Sequence, residues 1–291
     1  MESFGRTPGR PPILVTGATG QVGRAVTGAL ERRGAPVRLA ARRPGRLGVR
    51  GGVAPVAFDF QHSSGWAAAL EGCRGVFLLR PPAISDTAST LVPFVDMVRE
   101  AGAGPVVFLS VAGAERLRWI PHHAVEEALR TGPDGWTLLR PGFFAQNLLS
   151  AYLDDIREDD RLYLPAGHGR VAFVDLRDVG EVAADALLDP EVHDGRAWTL
   201  TGPRAYTFAE VATLLSGALR RSIRYEPASI PGYLLHLRRR GLGWGRALVQ
   251  TALHVGLRFG QAEAVDPTLG RLLGRPARSI EDFIQDQAER W

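Results

Sequence analysis

The chain has 291 residues, of which 45% are hydrophobic and 23% charged, and its formal net charge at pH 7 is +4. This composition supports a large buried core and excludes intrinsically disordered, collagen-like and disulfide-rich proteins. The 35 basic residues are all arginine, which excludes chemistry that depends on a lysine amine, such as a Schiff base or a P-loop.

The distribution of charged and apolar residues indicates no membrane or nucleic-acid partner. No stretch approaches 18 consecutive apolar residues, and residues 1–12 lack the apolar block of a secretory signal. Acidic and basic residues are interspersed, and the one dense run, at 238–240, is typical of a solvated helix end. Cys73 is the only cysteine and the seven histidines show no metal-ligand spacing, so we expect a cytoplasmic protein without a metal site.

In the first half, short apolar runs alternate with helical patterns. The predicted strands cover 13–16, 37–40, 53–58, 76–79, 106–110 and 136–139, and the predicted helices cover 21–33, 66–70, 89–100 and 122–130. Continuous β-branched runs separated by helices are typical of strands that are buried on both faces. This half therefore predicts an α/β fold with a doubly wound parallel sheet.

The second half is less regular. Its pattern predicts strands at 171–174 and 198–200, a helix at 176–188 and a mainly helical remainder. We expect residues 1–150 to form one domain and residues 151–291 to form a smaller, mainly helical region, with some of its strands rejoining the sheet.

The most informative motif is GATGQVG at 17–23, directly after the first strand. Gly17 permits a tight turn, Gly20 lets backbone amides approach a pyrophosphate, and Gly23 lets the next helix lie close to the sheet. The helix N-terminus adds unpaired N–H groups and the positive end of its dipole. Because strand, turn and helix follow one another as required, the motif predicts a Rossmann dinucleotide site in residues 1–150, with 151–291 as the substrate region.

The end of the second strand indicates which dinucleotide binds. An NAD site would place an acid there for the ribose hydroxyls, but no acid lies between Val37 and Pro44. Arginine at this position suits the 2′-phosphate of NADP. We expect Arg42 to bind that phosphate and Arg43 to face solvent, so NADP(H) is the predicted cofactor.

Two further strand ends are expected to contribute to the same site. Asp59 and Phe60 follow the third strand, where the acid can bind the adenine amino group and the ring can flank the base. Leu79 and Arg80 end the fourth strand, at the edge where open parallel sheets bind ligands. The alternatives are a loop-capping role for Asp59 and a surface position for Arg80.

Segments spread over almost the whole chain carry a family resemblance. They are ILVTGATGQVGRAV from Ile13, ARRP at 41–44, VFLSVAG at 107–113, WTLLRPGFFAQN at 136–147, VDLRDVGEVAA from Val174, LTGPRAYTFAEVATLLS from Leu200 and the tail GRPARSIEDFIQDQAERW. The chain resembles the NmrA-like family of atypical short-chain dehydrogenase/reductases. That family includes NADPH-dependent quinone, azo-dye and triphenylmethane reductases, regulators that bind the dinucleotide without turnover, and biosynthetic tailoring enzymes.

The resemblance implies roles for residues beyond the glycine motif. In the family pattern, the segment after Pro141 runs beside the nicotinamide and forms one wall of the substrate pocket. The complete expected cofactor set is Gly17, Thr19, Gly20, Gln21, Val22, Gly23, Arg42, Asp59, Phe60, Leu79, Arg80, Ser110, Pro141 and Phe143. The expected substrate set is Phe144 and Asn147, together with Tyr152, Tyr163 and His168 on a possible lid.

The resemblance also shows where this chain departs from ordinary short-chain reductases. Those enzymes use a tyrosine whose pKa is lowered by a lysine one helical turn later. Here the lysine position falls at or beside His122, the tyrosine position falls near Arg118, and Ser110 keeps the place of the family's serine or threonine. His122, His123 and Ser110 are therefore the catalytic candidates, since histidine titrates near neutrality.

These features predict an NADPH-dependent reductase or tailoring enzyme that acts on a flat, conjugated small molecule such as a quinone or a polyketide-like compound. Hydride delivery to such an acceptor leaves an anion that water or a histidine can protonate, without a tyrosine. Two alternatives stay open: a non-redox cyclase, isomerase or dehydratase, and a non-catalytic NADP-sensing regulator. A role in secondary metabolism and a monomer or homodimer are also expected.

Overall fold

The computed structural model describes residues 10–49, 53–133 and 135–291, which divide into two compact units. Unit 1 contains Met1–Pro141 and Leu176–Thr199, and unit 2 contains Gly142–Asp175 and Leu200–Trp291. The division expected from the sequence was at residue 150. The observed division differs because the helix and strand within 176–199 return to the first unit.

Unit 1 is built on a seven-stranded sheet. Its strands are β1 (Ile13–Val15), β2 (Val37–Ala41), β3 (Val56–Ala57), β4 (Val76–Leu79), β5 (Val106–Leu109), β6 (Trp136–Pro141) and β9 (Arg196–Leu200). Their order in the sheet is β3-β2-β1-β4-β5-β6-β9, and the pairs from β3 through β6 are parallel. The order reverses direction at β1, which confirms the doubly wound α/β fold that the sequence predicted.

Helices cover both faces of this sheet. They are α1 (Gln21–Arg32), α2 (Trp66–Leu70), α3 (Leu91–Glu100), α4 (Pro121–Arg130) and α6 (Leu176–Leu188). Residues of α2, α3 and α4 share one hydrophobic core with one face of the strands. On the other face α1 packs against α6, where Gly180 admits the backbone of Ala25: a Cβ at Gly180 would lie 2.8 Å from the Ala25 carbonyl.

Unit 2 has its own core and two small sheets. Its elements are α5 (Leu153–Glu158), β7 (Arg161–Leu164), β8 (Arg170–Val171), β10 (Tyr206–Thr207), α7 (Phe208–Leu219), β11 (Arg224–Pro227), α8 (Ile230–Arg239), α9 (Trp244–Leu257), α10 (Thr268–Leu273) and α11 (Ile280–Asp286). Strand β8 pairs antiparallel with β10, and β7 pairs parallel with β11. Aromatic side chains, including Phe173, Phe208 and Phe283, fill the core between these elements.

The predicted and observed elements of unit 1 agree closely, whereas β7, β10 and β11 of unit 2 were not predicted. The predicted strand at 53–58 shortens to β3, and the predicted strand at 171–174 retains only its first residue within β8. In the part of the chain that the structure describes, none of the helices combines the length and the apolar character that a bilayer crossing requires.

Candidate functional site

A cavity of about 800 Å³ opens in unit 1 at the carboxyl ends of β1, β2 and β4. This is the edge of a parallel sheet at which dinucleotides bind, next to the point where the strand order reverses. Its lining residues are Gly17, Thr19, Gly20, Ala40, Ala41, Arg42, Arg43, Arg46, Phe58, Asp59, Phe60, Gln61, Leu79, Pro81, Pro82, Ala83 and Ile84.

The glycine turn at one end of the cavity has the geometry that its sequence predicted. Gly17 has a φ of 64°, a conformation that strongly favours glycine, and its carbonyl accepts a 2.9 Å hydrogen bond from the Gly20 N–H. A Cβ at Gly23 would lie 2.3 Å from the Gly17 carbonyl oxygen, so only glycine lets α1 approach the turn this closely. Backbone geometry therefore favours glycine at both ends of the turn, at positions 17 and 23.

The start of α1 is suited to hold a phosphate. Gly20 caps the helix without a side-chain hydrogen bond, and the first turn contains no acidic residue. The positive end of the helix dipole is therefore not neutralised by a neighbouring carboxylate. Behind the turn, the Thr16 hydroxyl donates to the Phe77 carbonyl at 3.0 Å and accepts from the Leu79 N–H at 2.8 Å, which ties β1 to β4.

Three arginines, not one, line the cavity beyond β2. Arg42 was predicted there, and Arg43 is solvent-exposed as expected but also lines the cavity. Arg46, in the 3-10 turn Pro44–Arg46, was missed by the sequence analysis. The run ARRPGR was the only feature of the sequence that could have indicated Arg46. The turn that brings this side chain to the cavity is set by Pro44, and no periodic pattern marks it.

Asp59 and Phe60 both line the cavity, and both also serve the local structure. The Asp59 carboxylate accepts a 3.0 Å hydrogen bond from the Gln61 N–H, and its carbonyl accepts one of 2.9 Å from the Trp66 indole. Phe60 is buried and meets Phe58 edge to face at 4.8 Å. The expected adenine-binding role and the alternative capping role of Asp59 are therefore compatible at this position.

The two residues at the end of β4 have different surroundings. Leu79 lines the cavity and packs on the glycine turn, since a Cβ at Gly17 would lie 2.4 Å from a Leu79 methyl group. Arg80 does not line the cavity. Its guanidinium donates to His122 Nε2 at 3.2 Å and to the Ile84 carbonyl at 2.5 Å, so it fixes the loop whose residues 81–84 line the cavity.

A buried polar network lies at the carboxyl ends of β5 and β6. The Ser110 hydroxyl donates to Glu126 at 2.5 Å, and the Arg140 guanidinium binds both oxygens of the same carboxylate and reaches Glu115 at 3.1 Å. Burial alone would raise the pKa of Glu126, but the hydrogen bonds from Arg140 and Ser110 outweigh it and hold the pKa below its ordinary value. Glu126 is therefore ionised, and its carboxylate accepts the hydrogen bond that the Ser110 hydroxyl donates.

The two histidines at the start of α4 have separate partners. Burial, followed by the charge of Arg80, lowers the pKa of His122 to about 4, although Glu126 opposes the shift. His122 is thus neutral at pH 7, and its Nε2 accepts from Arg80. The Nδ1 atom of His123 lies 3.0 Å from the Ala114 carbonyl. The structure brings Ser110, Glu126 and His122 into one region of unit 1. Arg80 was predicted as a cofactor contact, but its bond to His122 and the roles of Glu126 and Arg140 were not predicted.

The segment that follows Pro141 belongs to unit 2. Phe143 is part-buried and packs edge to face on Phe173 at 5.6 Å, so core packing accounts for much of its ring. Phe144 pairs with Val174 in an isolated bridge. Asn147, in the 3-10 turn Ala145–Leu149, is part-buried.

The three residues expected on a lid lie in three different environments. Tyr152 is 1% exposed in the core of unit 2, where its hydroxyl bonds His254 Nε2, so its placement differs from the expected lid. Tyr163 lies within β7 and has the Arg161 guanidinium 4.5 Å above its ring. His168 is exposed. The Tyr152–His254 pair spans 102 residues of sequence, and no local pattern could have indicated it.

Of the fourteen residues expected to bind the cofactor, seven line the cavity: Gly17, Thr19, Gly20, Arg42, Asp59, Phe60 and Leu79. Gly23 supports the turn from behind, Arg80 supports the 81–84 loop, and Ser110 lies in the buried network. Within the described residues, no group of three or more histidine, cysteine or acidic side chains is placed to hold a metal ion.

Comparison with known proteins agrees with this architecture. The model of the NmrA-like family matches residues 10–259. The chain is 36% identical over 281 residues to a (4-alkanoyl-5-oxo-2,5-dihydrofuran-3-yl)methyl phosphate reductase from Streptomyces griseus, covering 95% of this chain and 98% of the relative. It is 30% identical over 285 residues to an NAD(P)H azoreductase from Xenophilus azovorans, with 95% and 98% covered.

Among solved structures, an NADPH-dependent quinone oxidoreductase from Escherichia coli, crystallised with NADPH, superposes with a TM-score of 0.84 at 24% identity. The superposition covers 95% of this chain and 99% of that one, which shows that the two share a fold. The family match extends through both units and includes the glycine turn, the strand-end arginines and the segment after Pro141. This chain belongs to the NmrA-like family, as its motifs predicted.

Proposed function

We propose that this protein is an NADPH-dependent reductase that delivers hydride to a flat, conjugated, electron-poor small molecule. The observation that carries the proposal is the cavity of unit 1, whose lining combines a glycine turn with three arginines. The named relatives, a furanone phosphate reductase and an azoreductase, support an oxidoreductase that acts on conjugated acceptors.

The residues of the cavity fit NADPH. Positions 17 and 23 are held to glycine by backbone geometry, which leaves the space that a diphosphate needs beside the start of α1. Arg42, with Arg43 and Arg46, would hold the 2′-phosphate, because guanidinium groups bind phosphate in a bidentate manner. No acid stands at the end of β2 to take the ribose hydroxyls of NAD.

Asp59 and Phe60 are the proposed adenine contacts, and Leu79 is the proposed contact beside the glycine turn. Thr19, Gln21 and Val22 would offer backbone N–H groups to the diphosphate. When bound, NADPH supplies the hydride. Arg80 is the proposed positioning residue for the 81–84 loop. Ser110, Pro141 and Phe143 are the proposed contacts of the nicotinamide half of NADPH.

The site restricts which acceptors can react. A simple ketone needs a proton donor at its oxygen as hydride arrives, and this chain has neither the tyrosine nor the lysine that usually provide it. The Ser110 proton is committed to Glu126, and His122 is neutral at pH 7 because burial and Arg80 lower its pKa to about 4. An acceptor that stabilises negative charge by conjugation can instead be protonated by water after hydride transfer.

The finer substrate class follows from the same restriction. We propose a quinone or an α,β-unsaturated carbonyl compound, including unsaturated lactones, since these accept hydride at carbon or oxygen and delocalise the resulting charge. The substrate in the printed name of the Streptomyces griseus relative is such an unsaturated lactone. Phe144, Asn147, Tyr163 and His168 stay proposed substrate contacts of unit 2, and Tyr152 is reassigned to its core. The cytoplasm is the proposed compartment.

The test is a stopped-flow measurement of NADPH oxidation, without oxygen, against a matched panel of acceptors. The panel contains quinones, unsaturated lactones, their saturated counterparts and unactivated ketones of similar size. We expect turnover of quinones or unsaturated lactones and none of the saturated compounds or unactivated ketones. Product analysis should find one NADPH oxidised for each acceptor molecule that is reduced. Each acceptor should gain two electrons and two hydrogen atoms, one from the hydride and one added as a proton.

Three outcomes would contradict the proposal. Comparable reduction of unactivated ketones would mean that another proton donor exists. NADPH binding without oxidation by any acceptor would favour a dinucleotide-sensing regulator. Conversion of a substrate without consumption of NADPH would favour a cyclase, isomerase or dehydratase.

A further inference from the structure

Helix α9 of unit 2 has an unusual distribution of apolar residues. Its buried residues are Ala247, Thr251, His254 and Leu257, which recur at helical spacing and face the core. Its exposed side carries Trp244, Leu248, Val249 and Leu253, each between 55% and 62% exposed, and Phe259 just beyond the helix is 83% exposed. We call these five exposed side chains the α9 apolar face. The solvent side of this helix is thus more hydrophobic than the side that packs on the protein.

This concentration of exposed apolar side chains is specific to one part of the molecule. Among the described residues, eleven large hydrophobic side chains are exposed, and five of them form the α9 apolar face. Two more, Ile230 and Leu235, lie on the neighbouring helix α8. Single exposed hydrophobic residues are ordinary, but a cluster of this kind marks a surface that contacts something other than water.

The charge around this face indicates the kind of partner. Residues 228–262 contain five arginines and no aspartate or glutamate, and the first acid beyond them, Glu263, lies beside Gly260 at the opposite end of the face from Trp244. Arg240 is paired with Asp154 and Asp155, and Arg258 donates to the carbonyls of Pro165 and Ala228. The other three, Arg238, Arg239 and Arg246, flank the start of α9, and Arg238 also donates to the Leu242 carbonyl.

The three remaining arginines lie close to the aromatic end of the face. The Arg238 guanidinium stacks over the Trp244 ring at 4.6 Å, while Arg239 and Arg246 are exposed. A tryptophan with adjacent cations at the edge of an apolar helix face is typical of helices that lie in the interface of a bilayer. Cations in this position bind anionic headgroups while the apolar side chains enter the acyl boundary.

We propose that the α9 apolar face docks the protein on an anionic lipid surface. A second copy of this chain is the other occupant that the test below distinguishes, since a two-fold interface pairs different positions of the same surface and would not have to bring arginines together. The sequence-based expectation was that no membrane partner exists, because spanning segments and a secretory signal are missing and the run at 238–240 is typical of a solvated helix end. Surface docking requires neither a spanning segment nor a signal, and it departs from that expectation by giving the arginine run a binding role. The proposal is independent of the reductase activity, because none of the five residues of the α9 apolar face is a proposed contact of the cofactor or the substrate.

The test is co-sedimentation of the full chain with vesicles of phosphatidylcholine alone and of phosphatidylcholine mixed with phosphatidylglycerol. We expect binding to the anionic vesicles, weakening as salt is added, and binding about tenfold weaker to the neutral vesicles. The double variant Leu248→Glu/Leu253→Glu should lose vesicle binding about tenfold or more. Arg239→Gln/Arg246→Gln, which changes only exposed side chains, should weaken binding to anionic vesicles and leave the weak neutral binding unchanged.

Matched controls keep the result interpretable. Val192→Glu changes an exposed apolar residue of unit 1, and Arg32→Gln/Arg224→Gln removes two exposed charges elsewhere, so both should bind vesicles like the wild type. Thermal unfolding and NADPH binding of each variant establish that it is folded. The proposal is overturned if the wild type remains in the supernatant with all vesicles, if it binds both lipid compositions equally, or if the folded α9 variants bind undiminished. A lipid-free dimer that Leu248→Glu/Leu253→Glu converts to a monomer, without vesicle binding, would assign the face to a second copy.

Discussion

Arg42 lies on the cavity wall at the point where β2 ends, with Arg43 and Arg46 nearby. A charge-assisted hydrogen bond to phosphate is stronger than a neutral one, and NADH lacks the 2′-phosphate that these groups would bind. We expect Arg42→Gln to raise the Kd for NADPH about tenfold or more and to leave the Kd for NADH unchanged. Isothermal titration calorimetry of both nucleotides measures this selectivity.

The control for this prediction is Arg32→Gln, which removes an equally exposed arginine from the far end of α1. It should bind both nucleotides like the wild type. Equal loss of NADPH and NADH affinity in Arg42→Gln would mean that Arg42 supports the fold of the cavity rather than reading the phosphate.

Two histidines with lowered pKa values, the buried His254 and the part-buried His122, make the stability of the protein depend on pH. Burial lowers the pKa of His254 to about 4, and burial with the Arg80 charge lowers that of His122 to about 4, against an ordinary value of 6.5. Between pH 6.5 and 4 the unfolded chain therefore binds protons that the folded chain does not. The free energy of unfolding must fall as the pH drops through this window, by an amount on the order of 2 kcal/mol for each histidine.

Urea denaturation at several pH values between 4 and 7 measures this dependence. We expect His254→Gln to show a smaller loss of stability on acidification than the wild type, because one of the two groups no longer titrates. His168→Gln, which replaces an exposed histidine, is the matched control and should keep the wild-type pH dependence. If His254→Gln retained the full wild-type slope, protonation of other groups would have to account for it.

At the scale of elements, the glycine turn and α1 pack so closely that the position of each depends on the other. Gly23 and Gly28 are both on α1, but they have different surroundings. A Cβ at Gly23 would lie 2.3 Å from the Gly17 oxygen, whereas one at Gly28 would meet only an Arg32 side-chain nitrogen at 3.5 Å. Gly23→Ala should therefore push α1 away from the turn, lower stability by about 2 kcal/mol and weaken NADPH binding at least about tenfold.

Gly28→Ala is the matched control on the same helix. Because alanine favours helix and nothing obstructs the added methyl group, this variant should be about 0.5–1 kcal/mol more stable and bind NADPH normally. Thermal denaturation and NADPH titration of both variants measure the contrast. Normal cofactor binding by Gly23→Ala would show that the close approach of α1 is not needed.

The same elements explain how far sequence could predict the structure. Strands β1, β4, β5 and β6 are short runs of buried apolar residues between helices, so their local pattern determines their state. The sequence of β11 is RYEP, and this strand forms by pairing with β7, more than 60 residues earlier. Its state depends on a distant partner, and no periodicity could predict it.

The residues of the candidate site can be divided in the same way, into those whose geometry depends on neighbouring residues and those whose geometry depends on distant ones. The turn at 17–23 was predictable because its geometry depends on neighbouring backbone atoms. The network of Ser110, Glu126 and Arg140 was not, because its members come from three successive segments and meet only when the sheet forms. Sequence could indicate the missing tyrosine and lysine, but not that the Ser110 hydroxyl would donate its hydrogen bond to Glu126.

At the scale of the whole molecule, the chain crosses between its units three times. Unit 1 is completed only by α6 and β9, which follow an excursion of the chain through residues 142–175. Nine of the thirteen residues of α6 are buried, and Gly180 is in close contact with the α1 backbone. Helix α1, which follows the glycine turn, thus depends on a segment more than 140 residues away from it in the sequence.

This dependence predicts how fragments of the protein behave. A fragment that ends at residue 150 lacks α6 and leaves the apolar side of α1 and one sheet face exposed, so it should lack cooperative unfolding and NADPH binding. A fragment that ends at residue 200 retains α6 and β9 and should recover both properties. Near-UV circular dichroism, thermal denaturation and NADPH titration of the two fragments make the comparison. Cooperative unfolding and cofactor binding by the shorter fragment would show that residues 1–150 are a folding unit and that α6 is dispensable for the site.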